Sequence, residues 1–312
     1  MGYARFVLRR LLQSLPTFAL ITVLIFLLVR LLPGDPASAM LGDRATDEAV
    51  ARINAALGTD LPIWQQFLRF LHRLVLGDFG QSQVLHVPVT ELIGERMPVT
   101  LMLAAYAMVL STVIAVPLAF LMALHRGRPL DIALRGVFQL ALSMPTFYLG
   151  LLLLTVLGAH LHIFPVGGLG RGPLGILHHL FLPALTLALG LAAIVTRSLR
   201  ASILEVLDAD FIDFARAKGL SERVVLGRHV LRNALISTVT LFGINLGQLM
   251  GGAVITETVF SLPGVGRMLI DAIYGRDYPV IEGLTMCFAV LVSLIFIATD
   301  LFQAWLDPRV YQ

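Results

Sequence analysis

Residues 99–124 read VTLMLAAYAMVLSTVIAVPLAFLMAL, a run without one Asp, Glu, Lys, Arg or His. As an α-helix it would rise about 1.5 Å per residue, enough to cross the ~30 Å of hydrocarbon in a bilayer. It is apolar all round, so a soluble fold would have to bury it on every face. Five more stretches of bilayer length read the same way: 11–32, 137–159, 180–196, 235–255 and 284–302. The fourth of the six spans is short, and the sixth carries Asp300 near its end. Hydrophobic residues make up 57% of the 312 positions and charged ones 14%, against roughly 45–50% and 25% in soluble domains. The expectation is an all-α integral membrane protein of six transmembrane helices.

Charge fixes the expected orientation. Of the 23 basic residues, Lys218 is the one lysine. With the N-terminus inside, segments 1–10, 125–136, 197–234 and the tail hold 3, 3, 7 and 1 of them. The short outer loops hold Arg171, Arg267 and Arg276, as the excess of Arg and Lys on cytoplasmic loops requires. Both termini are then cytoplasmic. The net charge of +3, spread without a dense basic block, points to topology and away from nucleic acid. Arg5, Arg9 and Arg10 before the first span, with Ala37-Ser38-Ala39 after it, resemble a secretory signal. That apolar run exceeds the ~7–15 residues of a signal core, so a retained anchor is expected. Cys287 stands alone in an apolar run and reads as packing.

The chain divides into residues 1–98, one span and a structured outer loop, and 99–312, a five-helix core. In the outer loop Thr46 can cap a helix that Gly58 ends. Pro62 can open a second helix, with Trp64, Phe67, Leu68, Leu71, Leu74 and Val75 as an apolar stripe. That stripe either lies in the membrane interface or packs on the outer ends of the spans.

Residues 197–234, between the fourth and fifth spans, are too long for a simple bundle connection. Asp208 or Asp210 can cap a short helix with Asp213 in its first turn, Phe211, Phe214 and Ala215 on one face, and Gly219 ending it in the left-handed conformation. Arg216, Ala217 and Lys218 complete that helix, and Ser221 can cap a second one leading to His229 and Arg232. Two aromatics among dense charge suit insertion into a groove of a soluble partner. A solvated linker packed under its own bundle satisfies the same residues.

On the fifth span Gly243, Gly247 and Gly251 recur every fourth residue, a spacing that admits close helix approach. Asn245 and Gln248 on the same helix either bond neighbouring helices or line a polar route. Glu257 at the outer end reads as a loop anchor and Asp300 at the inner end as an ion-pair member. His160, His162, His178 and His179 cluster in an outer loop, without a carboxylate or Cys to complete a metal site. No Gly-rich nucleotide loop followed by Lys-Ser/Thr occurs, nor His-Glu-x-x-His or Gly-x-Ser-x-Gly, so neither ATP hydrolysis by that route nor an intramembrane hydrolase is expected.

Residues 215–220, Ala-Arg-Ala-Lys-Gly-Leu, followed by Arg-His-Val-Leu-Arg-Asn-Ala at 228–234, resemble the EAA-type loop of binding-protein-dependent ABC importers. The chain is similar throughout to the dipeptide/oligopeptide/nickel permease family. Leu-Pro-Gly-Asp-Pro at 32–36, Gly-Asp-Phe-Gly-Gln-Ser at 77–82, Ser-Met-Pro-Thr-Phe at 143–147, Leu-Pro-Ala-Leu-Thr-Leu at 182–187, the run from Glu257 to Arg267 and Asp-Pro-Arg at 307–309 carry the likeness. The motif at 32–36 and the long first outer loop resemble the first of two permease subunits. Phe214 is bulkier than the family pattern, and Ser237 stands where proline is common. The resemblance implies a type I-like permease bundle in a bacterial or archaeal cell membrane, with a sister permease and an extracytoplasmic substrate-binding protein. It also implies two cytoplasmic ATPase subunits that hold ATP and Mg, docked on a coupling helix around Gly219. This chain would bind no cofactor or metal itself. A self-sufficient secondary transporter is the competing expectation, and it would need titratable groups inside the spans.

Overall fold

The computed structural model describes residues 3–31 and 46–306. The Leu-Pro-Gly-Asp-Pro and Asp-Pro-Arg motifs and the resembling cleavage site at 37–39 lie outside them. Helix α1 (Tyr3–Leu31) leads to two helices of the expected outer loop, α2 (Asp47–Leu57) and α3 (Ile63–Val75), where inner and outer follow the orientation that charge predicts. Then come α4 (Val89–Leu124), α5 (Pro129–Ser143), and α6 (Thr146–Leu153), which continues as a π-helix over Leu154–His160. The long α7 (Gly172–Leu207) precedes the short α8 (Asp210–Ala217). One turn, α9 (Glu222–Val224), and a π-helical segment (Val225–Leu231) run without a break into α10 (Arg232–Val259). The chain closes with α11 (Val265–Tyr274) and α12 (Tyr278–Leu306).

Among the described residues, Arg10–Leu31, Val89–Leu124, Gly172–Leu207 and Tyr278–Ala304 are each long and apolar enough to cross a membrane. Helix α10, 28 residues long, holds the predicted fifth span. The predicted third span, 137–159, is not one straight helix: α5 and α6 meet at 106°. The cause is Pro145. It lacks an N–H and drives Met144 into extended backbone (φ −86°, ψ 130°), as a residue before proline prefers. The predicted short fourth span, 180–196, is the middle of the 36-residue α7. Arg197 and Arg200 end the apolar run there without ending the helix. Two-thirds of the apolar window of α7 is buried, against 22% for α1, so α7 is the central post and α1 a peripheral one.

Three apolar layers stack along the bundle. The middle layer joins α4, α7 and α10 through Leu103, Leu187, Leu191, Leu249 and Met250. An outer layer joins α1, α4, α11 and α12 through Ile25, Val29, Leu92, Val265 and Leu284. An inner layer joins Ala119, Leu199 and Ile203 to Ile212, Ala215, Val225 and Val230. Helices α10 and α12 touch closely. A Cβ on Gly243 would stand 1.9 Å from Thr299 Cγ2, and one on Gly247 would stand 2.9 Å from Phe296. Gly251 departs from the expected stripe: it faces open space, and Gly252 takes the near contact, 3.0 Å from Leu187. Steps of four residues drift about 40° each around a helix, so the three glycines spread over about 80° and do not share one partner. At the inner ends Arg10 reaches Asp300 at 3.1 Å and links α1 to α12.

The outer loop folds as the punctuation predicts. Thr46 Oγ1 accepts from the Ala49 amide at 3.3 Å, and Gly58 has φ 71°. Pro62 opens α3. Phe67 and Phe70 of α3 meet the Phe26 ring of α1 at 5.0 and 5.8 Å.

Candidate functional site

At the inner end, α8 presents two different sides. Ile212 and Ala215 are buried against α4 and α7. Phe211 is 44% exposed and Phe214 62%. One side of this helix, barely two turns long, therefore packs under its own bundle, and the other is open. The expected shared face of Phe211, Phe214 and Ala215 is split in burial: Ala215 packs inward with Ile212, and the two aromatics stay exposed. Neither Asp208 nor Asp210 caps α8. Ala209 is the N-cap, in extended backbone, and Asp208 closes α7 instead. Asp210 and Asp213 lie in the first turn, where their charge suits the helix dipole.

Beyond α8, Gly219 has φ 79°, a conformation that glycine adopts without steric cost. Lys218 Nζ lies 4.5 Å from the centre of the Phe214 ring. Arg216 Nε donates to Glu222 at 2.9 Å, and Nη1 reaches Asp213 at 3.5 Å. The Glu222 bond fastens α8 to α9, the Asp213 contact lies within α8, and the Glu222 hydrogen bond, with desolvation opposing, raises the Arg216 pKa. Ala217 is exposed beside them. Ser221 precedes α9 without a side-chain cap. Where the π-helix passes into α10, His229 is half-buried and Arg232 exposed, and the His229 carbonyl accepts from Asn233 at 2.6 Å.

The base of this platform holds a residue that the sequence reading missed. Asp131, at the start of α5, is fully buried. Arg200 of α7 grips it with two bonds, 3.0 and 2.8 Å, and the Gly127 amide and Arg135 add contacts at 3.0 and 3.2 Å. The signal available was an acid two residues after the helix-opening Pro129, facing an arginine that a 36-residue helix carries past the apolar run.

Midway through the bundle lies a cleft of about 220 Å³ lined by Met144, Thr146, Thr186, Gly190, Asn245 and Gln248. Asn245 is buried and Gln248 exposed. The α5–α6 break thus places Met144 and Thr146 opposite the two amides of α10.

The outer end is closed by buried polar bonds. Glu257 is fully buried and accepts from Thr100 Oγ1 at 2.6 Å and from the Arg267 amide at 3.0 Å. Thr100 in turn accepts from the Val265 amide at 3.0 Å. The carboxylate therefore caps α11, the loop-anchoring role expected of it. Asp277, also buried, accepts from the Ser82 hydroxyl and the Gln83 and Val84 amides. Asp277 was not foreseen, although Ser82 belongs to a quoted motif. Between these two locks is a cavity of about 410 Å³ lined by Val84, Leu85, Arg96, Arg267, Met268 and Asp271. The histidines bond backbone carbonyls: His178 that of Ile163 at 3.2 Å, and His179 those of Gly167 and Gly168 at 3.2 and 3.1 Å.

Known proteins match this arrangement along nearly the whole chain. Residues 115–312 match the family described as binding-protein-dependent transport system inner membrane component. Residues 3–104 match the N-terminal region of such membrane components. The dipeptide transport system permease protein DppB of Escherichia coli K12 is 37% identical over 333 residues, covering 98% of each chain. A putative peptide transport system permease protein of Brucella suis is 38% identical over 308 residues, again 98% of each. Among solved structures, an inward-facing MetNI methionine ABC transporter chain superposes with TM-score 0.59 at 20% identity, over 69% of this chain and 96% of that one. An amino acid ABC transporter chain gives 0.54 at 17%, over 69% and 94%. These two share the fold.

Proposed function

This chain belongs to the binding-protein-dependent transport inner membrane component family, and from that premise we propose that it is one of two permease subunits of an ATP-driven importer of di- or oligopeptides. Its relatives of 37–38% identity are described as dipeptide or peptide permeases. The observation that carries the mechanism is α8, fastened to its own bundle by Ile212 and Ala215 while Phe211 and Phe214 stay outside. An aromatic pair on a fixed helix can fill pockets of a cytoplasmic ATPase at little cost in side-chain ordering. Asp210, Asp213, Lys218, His229 and Arg232 fix the register. When two ATPase subunits close on ATP and Mg, α8 moves with them. The inner apolar layer and the Asp131–Arg200 clamp pass that movement to α4, α5 and α7.

The cleft beside Gln248 and Asn245 is one wall of the solute path, completed by a sister permease. Amide and hydroxyl groups there suit a peptide backbone, which needs donors and acceptors without a fixed charge. At the outer face Arg96 makes no hydrogen bond or ion pair among the described residues, and it lines the 410 Å³ cavity beside exposed Val84 and Leu85. An acidic, partly apolar surface of the solute-binding protein fits it. A secondary transporter is disfavoured because Glu257 caps a helix and Asp300 is paired with Arg10. The test is co-purification of the ATPase with a tagged chain. Wild type retains it and Phe211→Asp with Phe214→Asp releases it. Equal retention by the folded double variant contradicts the docking assignment.

A further inference from the structure

The outer helix α3 has three edges. Gln66, Phe67 and Phe70 pack inward: the two rings meet Phe26, and Gln66 accepts from Arg30 at 2.9 Å. Arg69, His72 and Arg73 form a second, exposed polar edge. The third edge is apolar and bare: Trp64 is 60% exposed, Leu68 55% and Val75 85%. These three recur at one azimuth, four and seven residues apart.

Depth along α1 shows what covers that edge. The apolar span Arg10–Leu31 is 22 residues, about 33 Å at helical rise, close to the thickness of the hydrocarbon. Its inner end is marked by the Arg10–Asp300 pair and its outer end by Arg30, bonded to Glu282 at 2.8 Å. Phe26 lies five residues short of Leu31, roughly 7 Å inside the outer boundary. A helix resting its rings on Phe26 is held at the level where headgroups meet acyl chains, since interfacial helices bury their apolar side about 5–10 Å deep. On the same stretch of α1, Leu24, Leu28 and Leu31 are likewise apolar and exposed.

We propose that α3 is an interfacial anchor, with Trp64, Leu68 and Val75 seated in the outer leaflet and Arg69, His72 and Arg73 turned to water. It pins the outer loop, and with it the Ser82–Asp277 lock, at a fixed height on the bilayer. Tryptophan at that depth fits the aromatic belts of membrane proteins.

The chain has two tryptophans, so Trp305→Phe leaves Trp64 as the reporter. The full-length variant is reconstituted in phosphatidylcholine vesicles with acyl chains brominated or not. Bromolipid is expected to lower Trp64 emission about twofold or more, with aqueous iodide quenching weakly, as for a residue at the acyl boundary. Strong iodide quenching with no bromolipid effect overturns the proposal and leaves the edge to a soluble partner. A nitroxide at Leu68→Cys in a Cys287→Ala background gives an independent reading. Oxygen collisions exceeding those of a water-soluble nickel chelate support the anchor, and the reverse order overturns it.

Discussion

The inner and outer ends of the bundle are built from opposite materials. At the outer end, loops are held by buried carboxylates: Glu257 on Thr100 and the α11 amides, Asp277 on Ser82 and two further amides. At the inner end the projecting helix is held by a few apolar contacts and by exposed ion pairs, with Arg216 39% and Asp213 83% accessible. Buried charge-assisted hydrogen bonds tolerate little displacement, because each broken bond strands a desolvated group. Exposed pairs are worth ~1 kcal/mol or less and reform easily. The outer end is thus a fixed frame and the inner platform the proposed docking surface, with Asp131 and Arg200 as a deep polar joint beneath it.

That contrast can be broken in four places. Asp131→Ala strands the mostly buried Arg200 guanidinium, and removing one partner of a buried pair costs about 3–5 kcal/mol. Little folded protein should survive purification, and a normal yield with an unchanged thermal midpoint would deny the joint its role. Glu257→Ala should cost about 2–3 kcal/mol through the unsatisfied Thr100 hydroxyl and α11 amides, read as a lower unfolding midpoint. Glu257→Gln, which keeps an acceptor, should lose less.

Phe211→Asp should leave the midpoint in place while lowering ATP-dependent uptake about tenfold or more, equivalent to ~1.4 kcal/mol of docking energy. A fall in midpoint comparable to that of Glu257→Ala would erase the distinction between the two ends. Arg216→Ala should be the mildest, shifting stability by well under ~1 kcal/mol as an exposed pair does. A collapse of α8 in that variant would mean the inner platform is as rigid as the outer frame.

Much of the fold is legible in apolar run length, since a bilayer admits few alternatives to helices of about 20 residues. Thr46, Gly58, Pro62 and Gly219 mark their helix ends because caps and left-handed turns depend on the local chain alone. Three features escaped for a common reason: they depend on residues far apart. The α7 helix outruns its apolar stretch because Arg200 finds Asp131, 69 positions earlier. Asp277 is buried because Ser82, 195 positions away, reaches it. Gly243 and Gly247 face α12 while Gly251 does not, a matter of where Thr299 and Phe296 fall. The α5–α6 bend, by contrast, was written in Met144-Pro145. Apolar run length hides it, because the run continues across the break. At the inner site the exposed residues of α8 are legible in the sequence, but Ile212 and Asp131 beneath them are not, because their burial depends on α4 and α7.

The central claim is that residues 209–220 face the cytoplasm and carry an ATPase. Lys218→Cys in a Cys287→Ala background, exposed to a membrane-impermeant maleimide in inside-out vesicles, tests it directly. Labelling should be fast in vesicles stripped of ATPase, slow once the ATPase is restored, and absent in right-side-out vesicles. Labelling from the outer side, or an inner-side rate indifferent to the ATPase, would contradict the account.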